Sequence, residues 1–222
     1  MPGTIFREGF VTVQDDPRFD DDAEHIVDVT MRCQSLGKNF MTKIPVIVSG
    51  VEAIEELVAR NVPICATEIF AVSQAVHICE VYRRAAAKSG NHPPFYVTHI
   101  TGIFDQYMAE TVKAERIAIA PDILAQAGCI IARKEYRLMK ERGYEGTLLG
   151  GGARGTQHFT EFVGGDLHIT INWSTAEELV AASLHDEVGW IRLGARAIGG
   201  VRSVAPAEEE TMERLLALKE HL

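Results

Sequence analysis

Polar and apolar positions along this 222-residue chain change their period several times, and each change marks an element. Phe10-Val-Thr-Val-Gln14 alternates with β-branched residues, which predicts a strand, and an acidic turn then leads into a helical run from Asp22 to Ser35. Asn39-Phe-Met-Thr-Lys-Ile-Pro45 predicts a second strand. After it, Gly50-Val-Glu-Ala-Ile-Glu-Glu-Leu57 places its apolar residues at helical spacing. Pro63 to Phe70 predicts a third strand, with its helix from Val72 to Ala87, and Phe95 to Thr101 predicts a fourth. A strongly amphipathic helix is expected from about Asp122 to Arg142. Thr147-Leu-Leu149 is a short strand feeding the loop Gly150 to Thr156. Leu167 to Ile171 is the last strand, before a helix from Thr175 to Ser183 and a polar helix from about Glu208.

Strand and helix alternate throughout, so the expected fold class is α/β, a parallel sheet or a (β/α) barrel of the TIM type. About six βα units are visible, whereas a closed barrel of that type needs eight. The barrel therefore reads as incomplete. No repeat, low-complexity tract or linker interrupts the chain, and one domain over residues 1–222 is expected.

Composition narrows the partners. The formal charge is −9 with no Lys/Arg-rich run, so neither nucleic acid nor an anionic membrane surface is expected. Met1 to Glu8 lacks the apolar core of a signal peptide, and no segment is apolar over a bilayer's thickness; a cytoplasmic protein is the expectation. Cys33, Cys65, Cys79 and Cys129 are scattered, which suits reduced structural thiols, and the histidines show no His-x-x-x-His pairing. Neither a metal nor a cofactor is called for.

Lys43 then stands out, because a charged amine in the Asn39 to Pro45 strand needs a reason. A buried ammonium pairs or gives up its proton, and a neutral lysine amine attacks ketones. The plain alternative is a stem that lines the strand end while the ammonium reaches water. By alternation Met41, Lys43 and Pro45 share one face, and Phe40, Thr42 and Ile44 the other. Lys43 lies near its strand's C-terminal end, where α/β barrels carry their catalytic groups. Cys65 and Thr67 share a face of the next strand, and Thr67 occupies the same late position; a hydroxyl there orients a water or simply serves β propensity. Gln14 ends the first strand, followed by Asp15, Asp16 and Arg18. The loop Gly150 to Thr156, with Gly152 and Arg154, has the make-up of a phosphate cradle or of an ordinary glycine turn. His99 lies on the face away from Thr98, which suits packing under helices.

Lys43-Ile-Pro-x4-Gly50, Ala53-Ile-Glu-Glu-Leu57 and Thr67-x-Ile-Phe-x3-Gln74 together resemble the transaldolase family, including its fructose-6-phosphate aldolase branch. The resemblance runs from about Gly9 to Glu178. It implies a barrel enzyme in which Lys43 forms a Schiff base with a ketose phosphate and passes a dihydroxyacetone unit to an aldose acceptor. It further implies that Thr67 helps hold the catalytic water, that Gln14 occupies the third-strand catalytic position, and that Arg154 recognises sugar phosphate. Asp16, Cys65, Thr98 and Gly152 complete the expected substrate-contacting set. Departures accompany the matches. Gln14 stands where some family members carry glutamate, whereas the aldolase branch also carries glutamine there, and glutamine is no base at neutral pH. Ile103 stands where an arginine is expected after Gly102, and Leu167-His168 replaces a basic residue after Asp166. Gly9 to Arg18 matches the family's third strand, so its first two units and their acid/base residues have no counterpart. A homo-oligomer or a second polypeptide completing the barrel is the resulting expectation. A transaldolase in a specialised sugar pathway, a simple class I aldolase and a catalytically weak scaffold are the three readings carried forward.

Overall fold

Six strands and eight α-helices alternate along residues 9–184, the residues that this computed structural model describes. They run β1 Val11–Gln14, α1 Ala23–Leu36, β2 Phe40–Pro45, α2 Val48–Ala59, β3 Ile64–Ile69, α3 Val72–Ser89 and β4 Phe95–Ile100. There follow α4 Thr101–Glu115, α5 Pro121–Leu124, α6 Ala127–Glu141, β5 Thr147–Gly151, α7 Gln157–Thr160, β6 His168–Ile169 and α8 Trp173–Leu184. The strands form one sheet in chain order, with β1 against β2, β2 against β3 and β5 against β6 parallel. Sequential order with helical crossovers is the construction of a (β/α) barrel, and six strands make it an incomplete one.

The contacts divide into two compact units, one running through Thr98 together with Arg142–Thr147, the other comprising His99–Glu141 and the chain from Leu148. In the first unit, α2 buries Ala53, Ile54, Leu57 and Val58 along one stripe, and α3 buries Ala75, Ile78, Cys79 and Tyr82. Ile44 of β2 and Ile64 of β3 are also buried. Each large aliphatic so placed contributes roughly 1.5–3 kcal/mol relative to exposure. Asp22 starts α1 by accepting the His25 N–H at 3.0 Å, which places the helix where the sequence pattern put it. Gly50 lets α2 lie against the end of β2, since a Cβ there would stand 2.0 Å from the Pro45 carbonyl oxygen.

In the second unit, α6 approaches α4 closely at Gly128, where a Cβ would lie 2.5 Å from the Thr101 carbonyl oxygen. His99 is fully buried with its Nδ1 3.2 Å from Glu135 Oε1 of α6, so the expected packing role under a helix holds.

Several element boundaries differ from the sequence pattern. Helix α4 is absent from the expected elements; it buries Phe104 and Met108 and leaves Ile103 and Tyr107 exposed, so its apolar residues are not confined to the buried face. The expected helix from Asp122 to Arg142 is two helices, separated at Ala125-Gln126. Gly150 and Gly151 belong to β5 rather than to the loop, and β6 is shorter than Leu167 to Ile171. The expected helix from Glu208 lies outside the described residues.

Substituting Gly50 by Ala is expected to destabilise the protein by about 1–3 kcal/mol, because α2 must move off the β2 end. Thermal unfolding measures this; an unchanged Tm would show that the contact yields freely.

Candidate active site

The Thr30 hydroxyl of α1 donates to Thr42 at 2.9 Å, so the Thr42 face of β2 looks toward the helices. Lys43, one residue on, therefore projects from the opposite face. Register then decides its neighbours: Gln14 of β1 pairs with Lys43, and Lys43 pairs with Cys65 of β3. Residues paired across adjacent strands point to the same side, about 4.8 Å apart. Thr98 of β4 extends the row, its hydroxyl 3.2 Å from the Cys65 sulfur. Gln14, Lys43, Cys65 and Thr98 thus line one face across four consecutive strands. Thr67 pairs with Pro45 and lies on the same face, one step nearer the strands' C-terminal ends.

The electrostatics of this face are specific. Lys43 is half-buried. Burial pushes the Cys65 thiol above its ordinary range, against opposing influences from Thr98 and from the nearby Lys43 charge. A thiol kept protonated is a poor nucleophile, so Cys65 shapes the face beside Lys43. Thr67 is 1% exposed, yet its hydroxyl has no hydrogen-bond partner among the described protein groups. A buried hydroxyl without a protein partner is costly unless a water or ligand meets it.

Asp16 does not join the row. It caps the turn Pro17–Phe19, accepting the Arg18 N–H at 3.0 Å, and its carboxylate also pairs with the Arg18 guanidinium. That guanidinium holds the Asp16 carboxyl below the usual carboxylate range.

Arg154 and Gly152 belong to the second unit. Gly152 has φ +62°, a left-handed conformation that glycine adopts without strain. Arg154 is exposed, with Nη1 donating to the carbonyls of Gly152 at 3.2 Å and Ala153 at 3.3 Å. Its backbone is anchored by groups that sequence reasoning did not connect. The Arg154 N–H donates to His158 Nδ1 at 2.9 Å; His158 Nε2 lies 2.6 Å from Asp105 Oδ2; and Asp105 Oδ1 accepts the Gly128 N–H at 2.6 Å. Because Nδ1 accepts, this network assigns the imidazole proton to Nε2, which donates to Asp105. His158 and Asp105 are 53 residues apart, and no local spacing signals the pair. Nor did the sequence single out Gln74 beyond its place in the threonine-to-glutamine spacing.

Residues 3–216 match the protein family described as Transaldolase/Fructose-6-phosphate aldolase. The chain belongs to that family. Transaldolase from Neisseria meningitidis serogroup C / serotype 2a is 29% identical over 126 residues, covering 51% of this chain and 36% of that protein. Transaldolase from serogroup A / serotype 4A of the same species is 28% identical over the same shares. The matched stretch is thus little more than a third of the length of these curated transaldolases.

Asp105→Asn is expected to lower stability by about 1–3 kcal/mol, since one amide oxygen cannot accept from both Gly128 and the buried His158. Denaturant unfolding checks the loss. A stability equal to wild type would contradict the assigned proton arrangement.

Proposed function

We propose that this member of the transaldolase family is a lysine-dependent aldol enzyme acting on sugar phosphates. The observation that carries the reading is the buried Thr67 hydroxyl, without a hydrogen-bond partner among the described residues, on the same face as Lys43 and one step from it. Lys43 Nζ attacks the ketone carbon of a ketose phosphate, and loss of water gives a protonated imine. The adjacent carbon–carbon bond then breaks, its electron pair moving into the imine as the hydroxyl on the departing carbon gives up its proton. An aldehyde leaves, and a dihydroxyacetone enamine remains on Lys43. Adding the enamine to an aldose acceptor and hydrolysing the new imine completes a transfer. Thr67 and Gln14 hold the water that carries protons on this face, Cys65 and Thr98 flank the bound carbons, and Arg154 in its Gly152 loop recognises phosphate.

A simple aldolase is the second reading, and the neutral Gln14 amide beside Lys43 favours it. In that case water protonates the enamine and dihydroxyacetone is released. The remaining parts of the proposal are a single domain, a cytoplasmic setting and a homo-oligomer or second polypeptide meeting the terminal strand β1. Among the described residues no helix is long and apolar enough to cross a membrane, and β1 ends the sheet order with Val11 exposed.

Borohydride reduction in the presence of fructose 6-phosphate is expected to label the Lys43 peptide irreversibly, and Lys43→Ala is expected to abolish the label. Product analysis with and without an aldose acceptor separates transfer from simple cleavage. No adduct on the wild-type protein would reduce the chain to a binding subunit, and light scattering that shows one homogeneous monomer would remove the oligomer from the proposal.

A further inference from the structure

Immediately after Thr67, Glu68 adopts φ +59° although it is not a glycine. Its side chain is exposed, so burial does not impose that conformation. A left-handed residue inside a strand costs energy and persists only where the surroundings hold it. Gln74, in the first turn of α3, supplies the hold. Its Oε1 accepts the N–H groups of Phe70 at 3.0 Å and Ala71 at 3.2 Å, while its Nε2 donates to the carbonyls of Glu68 and Val46, each at 3.3 Å. Every polar atom of the carboxamide is engaged, and all four partners are backbone. The Val46 N–H in turn donates to the Thr67 carbonyl at 2.9 Å. One side chain therefore ties the end of β2, three residues past Lys43, to the end of β3, one residue past Thr67.

We propose that Gln74 is a positioning residue for the Lys43–Thr67 pair, acting through the strained backbone at Glu68; this rests on the lysine chemistry proposed above. The side chain touches neither the substrate nor the reacting atoms. Its carboxamide fixes the turn that holds the Thr67 hydroxyl on the Lys43 face. Glutamate in its place keeps the acceptor facing Phe70 and Ala71 but turns an oxygen toward two carbonyls, so Gln74→Glu fails in the same way as Gln74→Ala without loss of volume.

The test has two arms. In crystals of Gln74→Ala or Gln74→Glu, Glu68 is expected to leave the left-handed region and the Thr67 hydroxyl to move; retention of both overturns the proposal whether or not the protein is an enzyme. In solution, either variant is expected to lose turnover about tenfold, as misplacement of a positioned group does, while fructose 6-phosphate and borohydride still label Lys43. Glycine tolerates positive φ, so Glu68→Gly added to Gln74→Ala is expected to restore most of the lost turnover. A parallel fall of labelling, turnover and Tm with no recovery in the double variant shows a merely structural role and overturns the proposal. If the wild-type protein labels with no sugar, the proposed chemistry falls alone, and the crystal comparison decides the positioning role.

Discussion

The parallel register of β1, β2 and β3 is the constraint on which the Lys43 face depends. Pairing Gln14 with Lys43 and Lys43 with Cys65 puts an amide, an amine and a thiol side by side. A slip of one residue would turn Lys43 toward α1, where Thr30 now meets Thr42. Backbone bonds hold the register at both ends of β2, from Val11 N–H to Asn39 at 2.8 Å and from Val46 N–H to Thr67 at 2.9 Å. Burial of Ile44 and Ile64 on the helix side holds it between. The row of side chains on one side of the sheet is thus set by packing on the other.

The two units solve different physical problems. In the first, Lys43 and a Thr67 hydroxyl with no partner among the described groups share one face, and a stitched pair of strand ends holds them there. The second has to hold a glycine-rich loop in one shape. It uses close backbone approach at Gly102, where a Cβ would stand 2.0 Å from the Gly152 carbonyl oxygen, and the hydrogen-bonded chain Gly128–Asp105–His158–Arg154. With Ile103 where the family places an arginine, that loop carries Arg154 as the cation of the proposed phosphate contact. The backbone lock on Arg154 is therefore the more consequential.

Much of this was legible along the chain because parallel strands announce themselves by alternation and β-branching. The faces of β2 and β3, the late positions of Lys43 and Thr67, and the count of six units follow from period alone. The rest depends on long-range contact. Helix α4 spreads its large apolar residues over buried Phe104 and Met108 and exposed Ile103 and Tyr107, and which pair meets the core is decided by the fold. A left-handed Glu68 cannot be inferred from a residue type that rarely adopts that conformation, and His158 finds Asp105 only once the chain has folded. Gln74 sat in plain view as part of a spacing, but its four backbone partners come from the ends of two strands and the start of a helix. Asp16 looked available to a substrate from its position after β1, yet its neighbour Arg18 engages it locally.

In the proposed chemistry, Lys43 and Thr67 together make and protonate an enamine. Proton NMR of dihydroxyacetone in heavy water with the protein present measures this without any acceptor or phosphate. Deuterium is expected to enter the carbon next to the carbonyl well above the buffer rate, with loss of exchange in Lys43→Met and a marked fall in Thr67→Val. Exchange at the buffer rate, or exchange that persists without Lys43, would contradict it.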